Sequence, residues 1–205
     1  MNKISGNGLF RLGLSLAFYL LLFLVPMTAG AATIYVDADA TGAGTGTSWG
    51  NACTELGEAM NAASDGDEIW VAAGTYRPTR DKTGSTSPAD TREKIFFFKS
   101  YNSLKLYGGF DGTDGAGSGS LETDLSQRDP ATYETILSGD LNGDDDSGGD
   151  NSENVYHVVY FDALDQETLL DGFTITAGNA NGSSGQYLYG GGFIILSTAA
   201  LSIPR

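Results

Sequence analysis

Cysteine, histidine and basic residues are all scarce in this 205-residue chain, which has one Cys, one His and 11 Lys+Arg against 26 Asp+Glu. A single Cys excludes an intramolecular disulfide, and with a single His it excludes a multi-Cys or His-cluster zinc site. The net charge of −15 argues against a nucleic-acid partner, because phosphate recognition needs clustered Lys and Arg. Beyond Val25 no apolar run approaches the ~20 residues that cross a bilayer. What the chain has in excess is glycine, 29 residues, about twice the usual share of ~7%. A hydrophobic content of 40% is too high for a disordered chain. The length suits one domain, or one domain plus an extension.

The first residues read as an address. Lys3 and Arg11 supply a positive start, Leu12 to Val25 an apolar run shorter than a span, and Pro26 a break. Ala29-Gly30-Ala31 then offers small residues for cleavage, the tripartite pattern of a secretory signal peptide. Residues 1–31 are therefore expected to be removed, leaving 32–205. Lys3 and Arg11 leave with them, so the charge deepens to −17. An exported, acidic, Cys-poor chain points to a bacterial surface or extracellular protein, since animal secreted domains of this size more often carry disulfides. Cys53 reads as a small buried hydrophobe.

The remainder alternates short β-rich runs with Gly-rich turns. One helix is expected over Thr54–Ala63, where Leu56, Ala59, Met60 and Ala63 share a face. Five apolar runs each meet a glycine: Ile69–Ala73 at Gly74, Leu104–Tyr107 at Gly109, Thr135–Ser138 at Gly139, Thr168–Asp171 at Gly172, and Gln186–Tyr189 at Gly191. The gaps between these glycines are 35, 30, 33 and 19 residues, in the range of solenoid repeats. Glycine permits a sharp corner through φ > 0 or a close approach to the next turn of chain. Stacked turns would pair each short strand in parallel with the next and build a continuous core. The competing reading is an antiparallel sandwich. Asp111-Gly112 and Asp171-Gly172 partly suit its hairpins, but the spacing is too long.

Three stretches near the start carry a resemblance: Ile34-Tyr35-Val36-Asp37, Gly46-Thr47-Ser48-Trp49, and Gly66-Asp67-Glu68-Ile69-Trp70-Val71-Ala72-Ala73-Gly74-Thr75-Tyr76. Leu106–Phe110, Leu125–Asp129, Ile136–Asp140 and Leu170–Ile175 follow in order. Together they resemble bacterial surface or secreted proteins of the right-handed parallel β-helix, pectin-lyase-like fold. Gly190-Gly191-Gly192 resembles the start of a polymorphic outer membrane protein repeat. The likeness covers about residues 33–192. It implies an all-β, right-handed parallel β-helix (a solenoid), with residues 32–205 forming an N-terminal cap that contains one short α-helix and then the first coils. Proteins of this kind are usually large, many carry a C-terminal anchor, and most have no established activity. After Gly192 the family's further rungs and anchor do not follow, so the expectation is a truncated or frame-shifted product, or a fragment of a longer protein.

The acidic stretch after Gly139 is the leading candidate for chemistry. Asp140, Asn142 and Asp144 fall at positions 1, 3 and 5 of an EF-hand-like frame, and Asp146 and Asp150 follow. Calcium takes six to eight oxygen ligands, and alternate residues of a tight loop can aim several inward. Position 6 is Asp145 rather than Gly and position 12 is Asn151 rather than Glu, so the match to an EF-hand is poor and a solvated acidic loop is the plain alternative. Calcium is the one cofactor this stretch suggests. Polysaccharide lyases and hydrolases also use the fold, and Asp111, Asp114, Asp171, Arg128 and Lys105 could belong to such a set, although no lyase or polygalacturonase motif is present. His157 reads as a strand residue in packing. Trp49, Trp70, Tyr76 and Phe96-Phe97-Phe98 could line a sugar-binding face but fit a core more simply. The expected role is a structural, adhesive or carbohydrate-binding module. Its expected partners are extracellular polysaccharide or cell-surface components, and a carbohydrate-active enzyme fragment is the alternative.

Overall fold

The computed structural model describes residues 30–99, 103–113, 121–162, 167–183 and 185–195. The expected signal segment therefore lies almost wholly outside the described residues, as does the stretch after Ile195. Within them the chain forms ten strands and one α-helix. In order these are β1 (Thr33–Val36), α1 (Leu56–Ala62), β2 (Glu68–Ala72), β3 (Gly74–Tyr76), β4 (Phe96–Phe98), β5 (Lys105–Phe110), β6 (Thr135–Ser138), β7 (Val159–Phe161), β8 (Leu169–Asp171), β9 (Phe173–Thr176) and β10 (Phe193–Ile195). No described helix is long and apolar enough to cross a membrane.

The strands form three sheets, ordered β1-β2-β5-β8, β3-β6-β9 and β4-β7-β10. Every pair within them is parallel. From β2 onward the chain visits the first, second and third sheets in turn, three times over. The protein is thus all-β with one helix, and the antiparallel sandwich is excluded. The passes are unequal. Glu68 pairs with Lys105, and Lys105 with Leu169, so the second pass is far longer than the first. Glycine corners spaced by 19 to 35 residues do not measure a pass, because they fall at more than one place on the circuit. Gly74 and Gly172 serve the step from the first sheet to the second, whereas Gly109 lies within β5, Gly139 follows β6 and Gly191 precedes β10.

Register aligns like with like. Ile34, Ile69, Leu106 and Leu170 stack on one face of the first sheet, and Tyr35, Trp70 and Tyr107 on the other. The aliphatic face joins Phe96, Phe98, Leu137, Val159 and Phe161 in the main core, where each fully buried side chain contributes about 1.5–3 kcal/mol. Phe98 stacks on Phe161 with ring centroids 4.4 Å apart. The aromatic face is covered by Trp49 and Phe110. Phe110 stacks on Trp70 at 4.8 Å, and Trp49 donates its indole N–H to the Glu122 carbonyl at 3.0 Å.

Helix α1 lies inside the expected span and buries Leu56, Ala59 and Met60 against the strands. One expected strand is absent: Gln186–Tyr189 lies in a 3-10 turn, Gly185–Leu188. Its alternation of tyrosines imitates a strand, but Tyr187 is drawn sideways. Its ring lies 4.5 Å from Tyr156, and its hydroxyl donates to Glu93 at 2.8 Å.

Candidate metal centre and aromatic cleft

The acidic loop begins where β6 ends. Asp140 is 6% exposed, and its carboxylate accepts the backbone N–H groups of Gly143 (2.6 Å), Asp144 (3.3 Å) and Asp145 (3.4 Å). Burial works to raise its pKa. The three amides and the nearby Arg77 guanidinium outweigh that and hold it below the ordinary carboxylate value. Arg77 itself donates Nε–H to the Asp140 carbonyl at 2.6 Å. The wrapped backbone turns Asp144 and Asp145 back over Asp140.

One oxygen each from Asp140, Asp144, Asp145 and Glu153 lies within 4.8 Å of the others. Asp144 Oδ1 and Glu153 Oε1 are buried and accept no hydrogen bond within the described residues. The Asn154 amide reaches the same place. Its Nδ2 donates to Asp145 Oδ2 at 2.8 Å, while its Oδ1 is buried without a partner.

Of the five residues expected to hold a cation, the structure gathers Asp140 and Asp144. Asn142, Asp146 and Asp150 are exposed, and neither Asp146 nor Asp150 belongs to the carboxylate group. Asp150 is occupied with Ser152, whose hydroxyl and amide hydrogen bonds lower its pKa. Asp145 and Glu153 stand in the group unforeseen. A frame of alternate residues assumes an extended loop, whereas Asp145–Ser147 form a 3-10 turn that breaks the alternation. Glu153 joins from beyond that turn, past its left-handed cap Gly148, whose φ is 77°.

The residues considered for carbohydrate cleavage do not converge. Arg128 pairs with Asp171 at 2.8 Å, but its Nε donates to the Gly108 carbonyl at 2.7 Å, and its guanidinium lies over the Tyr107 ring. That is a tie between neighbouring turns of chain. Asp111 accepts the Thr113 hydroxyl within its own loop, Lys105 heads β5, and Asp114 lies outside the described residues. Trp49, Trp70, Tyr76, Phe96 and Phe98 are core residues. Cys53 packs against the main core. Burial and the Glu58 charge push its thiol pKa up, which suppresses the reactive thiolate.

A second feature was not read from the sequence. A cavity of about 100 Å³ is lined by Tyr156, Tyr160, Tyr187, His157, Glu93 and Lys82 among others. The Arg92 guanidinium lies 4.1 Å above the Tyr156 ring. Buried His157 places Nδ1 2.9 Å from the Gly190 carbonyl. A carbonyl only accepts, so Nδ1 is the donor in this bond. These residues come from four separate stretches of chain, and only the stacking of passes unites them.

No family model, no curated protein and no solved structure matches this chain.

Proposed function

We propose that this protein is an exported right-handed parallel β-helix of the pectin-lyase-like kind, acting as a structural and carbohydrate-binding module at or beyond the bacterial surface. The observation that carries the reading is the cyclic visit to three parallel sheets, which is how a β-helix is wound. Parallel crossovers within one sheet are right-handed in about 98% of cases, which supports the hand. The N-terminal charge, apolar run and small-residue site support export.

Binding rather than catalysis is favoured by the cleft. The half-buried Tyr187 ring and the polar groups beside it, Lys82, Glu93 and Gln186, offer contacts for a sugar ring and its hydroxyls. The charge of −17 after removal of residues 1–31 repels acidic chains, so neutral glycans are the better fit.

The test starts with protein recovered from the medium or surface of an expressing bacterium. Its N-terminus should begin at Ala32. Titration with neutral polysaccharides should show saturable binding that Tyr187→Ala weakens at least about tenfold, while an unchanged fold is checked by circular dichroism. Binding unaffected by that variant removes the cleft, and retention of residue 1 in the cell removes export. The same samples, followed at 235 nm with uronans and by a reducing-sugar assay, test the enzyme alternative, which predicts product.

A further inference from the structure

We propose that Asp140, Asp144, Asp145 and Glu153, joined by the Asn154 amide, form a calcium site in the loop between β6 and β7. It is separate from the aromatic cleft and independent of the carbohydrate reading.

Four carboxylates bring one oxygen each to within 4.8 Å of one another. Oxygens on opposite sides of a calcium ion at 2.3–2.6 Å stand about 4.6–5.2 Å apart, so four oxygens this close can share one cation. Neither ion pair among the described residues involves any of the four. Four negative charges at this spacing repel one another strongly wherever water is excluded. Asp144 Oδ1 and Glu153 Oε1 are out of solvent without a donor, a state that buried carboxylates rarely tolerate.

Asn154 is the independent sign. It bears no charge, is 2% exposed and presses its amide onto the Asp145 carboxylate. Its Oδ1 is left buried without a partner. Rotating the amide end for end keeps its shape and turns the oxygen toward the carboxylates. There it would only repel unless a cation stood between. With one, it is a fifth oxygen ligand, and water completes the shell. An all-oxygen set of four carboxylates and an amide is a hard-cation set. Magnesium demands a tighter octahedron at about 2.1 Å and keeps most of its water, so calcium suits these ligands better. The three amides on Asp140 and Arg77 beyond its carbonyl hold the loop's base in place whether or not the ion is bound.

The test is isothermal calorimetry and thermal melting of the purified, chelator-treated protein with CaCl₂, and separately with MgCl₂. Calcium should bind with one site per chain and raise the melting temperature by several degrees. The double variant Asp144→Asn/Glu153→Gln should lose at least about 100-fold in calcium affinity. Asp146→Asn/Asp150→Asn, at exposed residues outside the group, should bind as the wild type does. Because the first pair of changes relieves repulsion, that variant should melt no lower than wild type without calcium. This signature separates lost ligation from lost folding. Absence of heat and of any shift at millimolar calcium overturns the site. A response retained by the double variant overturns the ligand set, and magnesium binding as tightly as calcium overturns the choice of ion.

Discussion

Tyr76 is buried, and its hydroxyl donates to the Ala72 carbonyl at 3.1 Å. Burial, with the Asp37 and Asp39 carboxylates adding to it, pushes the phenol pKa well above the ordinary ~10. The folded state therefore holds this proton more tightly than the unfolded state. The stability it represents is complete below pH ~10 and falls as pH rises from there toward the folded value. Alkaline titration followed by circular dichroism should show stability dropping above pH 10. Tyr76→Phe should flatten that slope, and an unchanged slope would mean other groups govern it. Buried carboxylates follow a different logic at the same scale. Asp67 takes the amides of Ala32 and Ser64, and Glu122 those of Asp111 and Gly112. Each carboxylate does for a loop what a cap does for a helix end, and each looks like an ordinary surface acid in the sequence.

At the scale of elements, the step from β8 to β9 turns on Gly172. Its φ is 80°, and a Cβ there would stand 2.7 Å from the Gly108 carbonyl oxygen and 2.5 Å from an Arg128 nitrogen. Gly172→Ala therefore combines backbone strain with a clash against the pass beneath, and should cost about 2–4 kcal/mol in chemical denaturation. A loss under 1 kcal/mol would mean that the corner relaxes freely. This corner was legible in the sequence because glycine between apolar runs has a specific backbone meaning. Strands β2, β5, β6 and β8 were legible too, along with the helix buried on Leu56, Ala59 and Met60. The third sheet was not assembled: Phe96–Phe98 looked like core or a sugar face, and Val159–Phe161 only like the surroundings of His157. Parallel strands buried on both faces lack alternation, so their pairing partner, Phe96 to Val159 to Phe193, cannot be read from either segment alone. The acidic loop failed in part for a related reason. Spacing along the chain located Asp140 and Asp144, but Glu153 and Asn154 arrive by the way the chain folds back.

Across the whole molecule, three arginines repeat one device. Arg77 gives Nε–H to the Asp140 carbonyl, Arg128 to Gly108 and Arg92 to Asn154. Arg77 and Arg92 thereby hold backbone in the next turn of chain, whereas Arg128 holds backbone in its own turn and reaches the next through the Asp171 carboxylate. Arg92 goes further, since its Nη2 also reaches the Asn179 carbonyl at 2.6 Å and Asn181 Oδ1 at 2.7 Å. Arg92→Ala leaves these acceptors unmatched and should cost about 2–4 kcal/mol. Arg92→Lys should recover little, because one ammonium cannot span them in a planar fork. Urea titrations of both variants read the loss, and full recovery in the lysine variant would refute the planar requirement.

Arg92 belongs to the first pass, Asn154 to the second and Asn179 to the third. Stacked chains are usually described as a one-dimensional Ising array, in which each unit couples only to its neighbours and unfolding can start at an end and travel. A side chain that bonds the unit next to it and the one after adds coupling at second-neighbour range. Fraying of the last pass would then have to break contacts rooted in the first. Melting should be sharper than the number of passes alone would allow, with tryptophan fluorescence and backbone circular dichroism reporting one midpoint. Removing the Arg92 guanidinium should split those midpoints, turning a molecule that unfolds as one block into one that unwinds from its end.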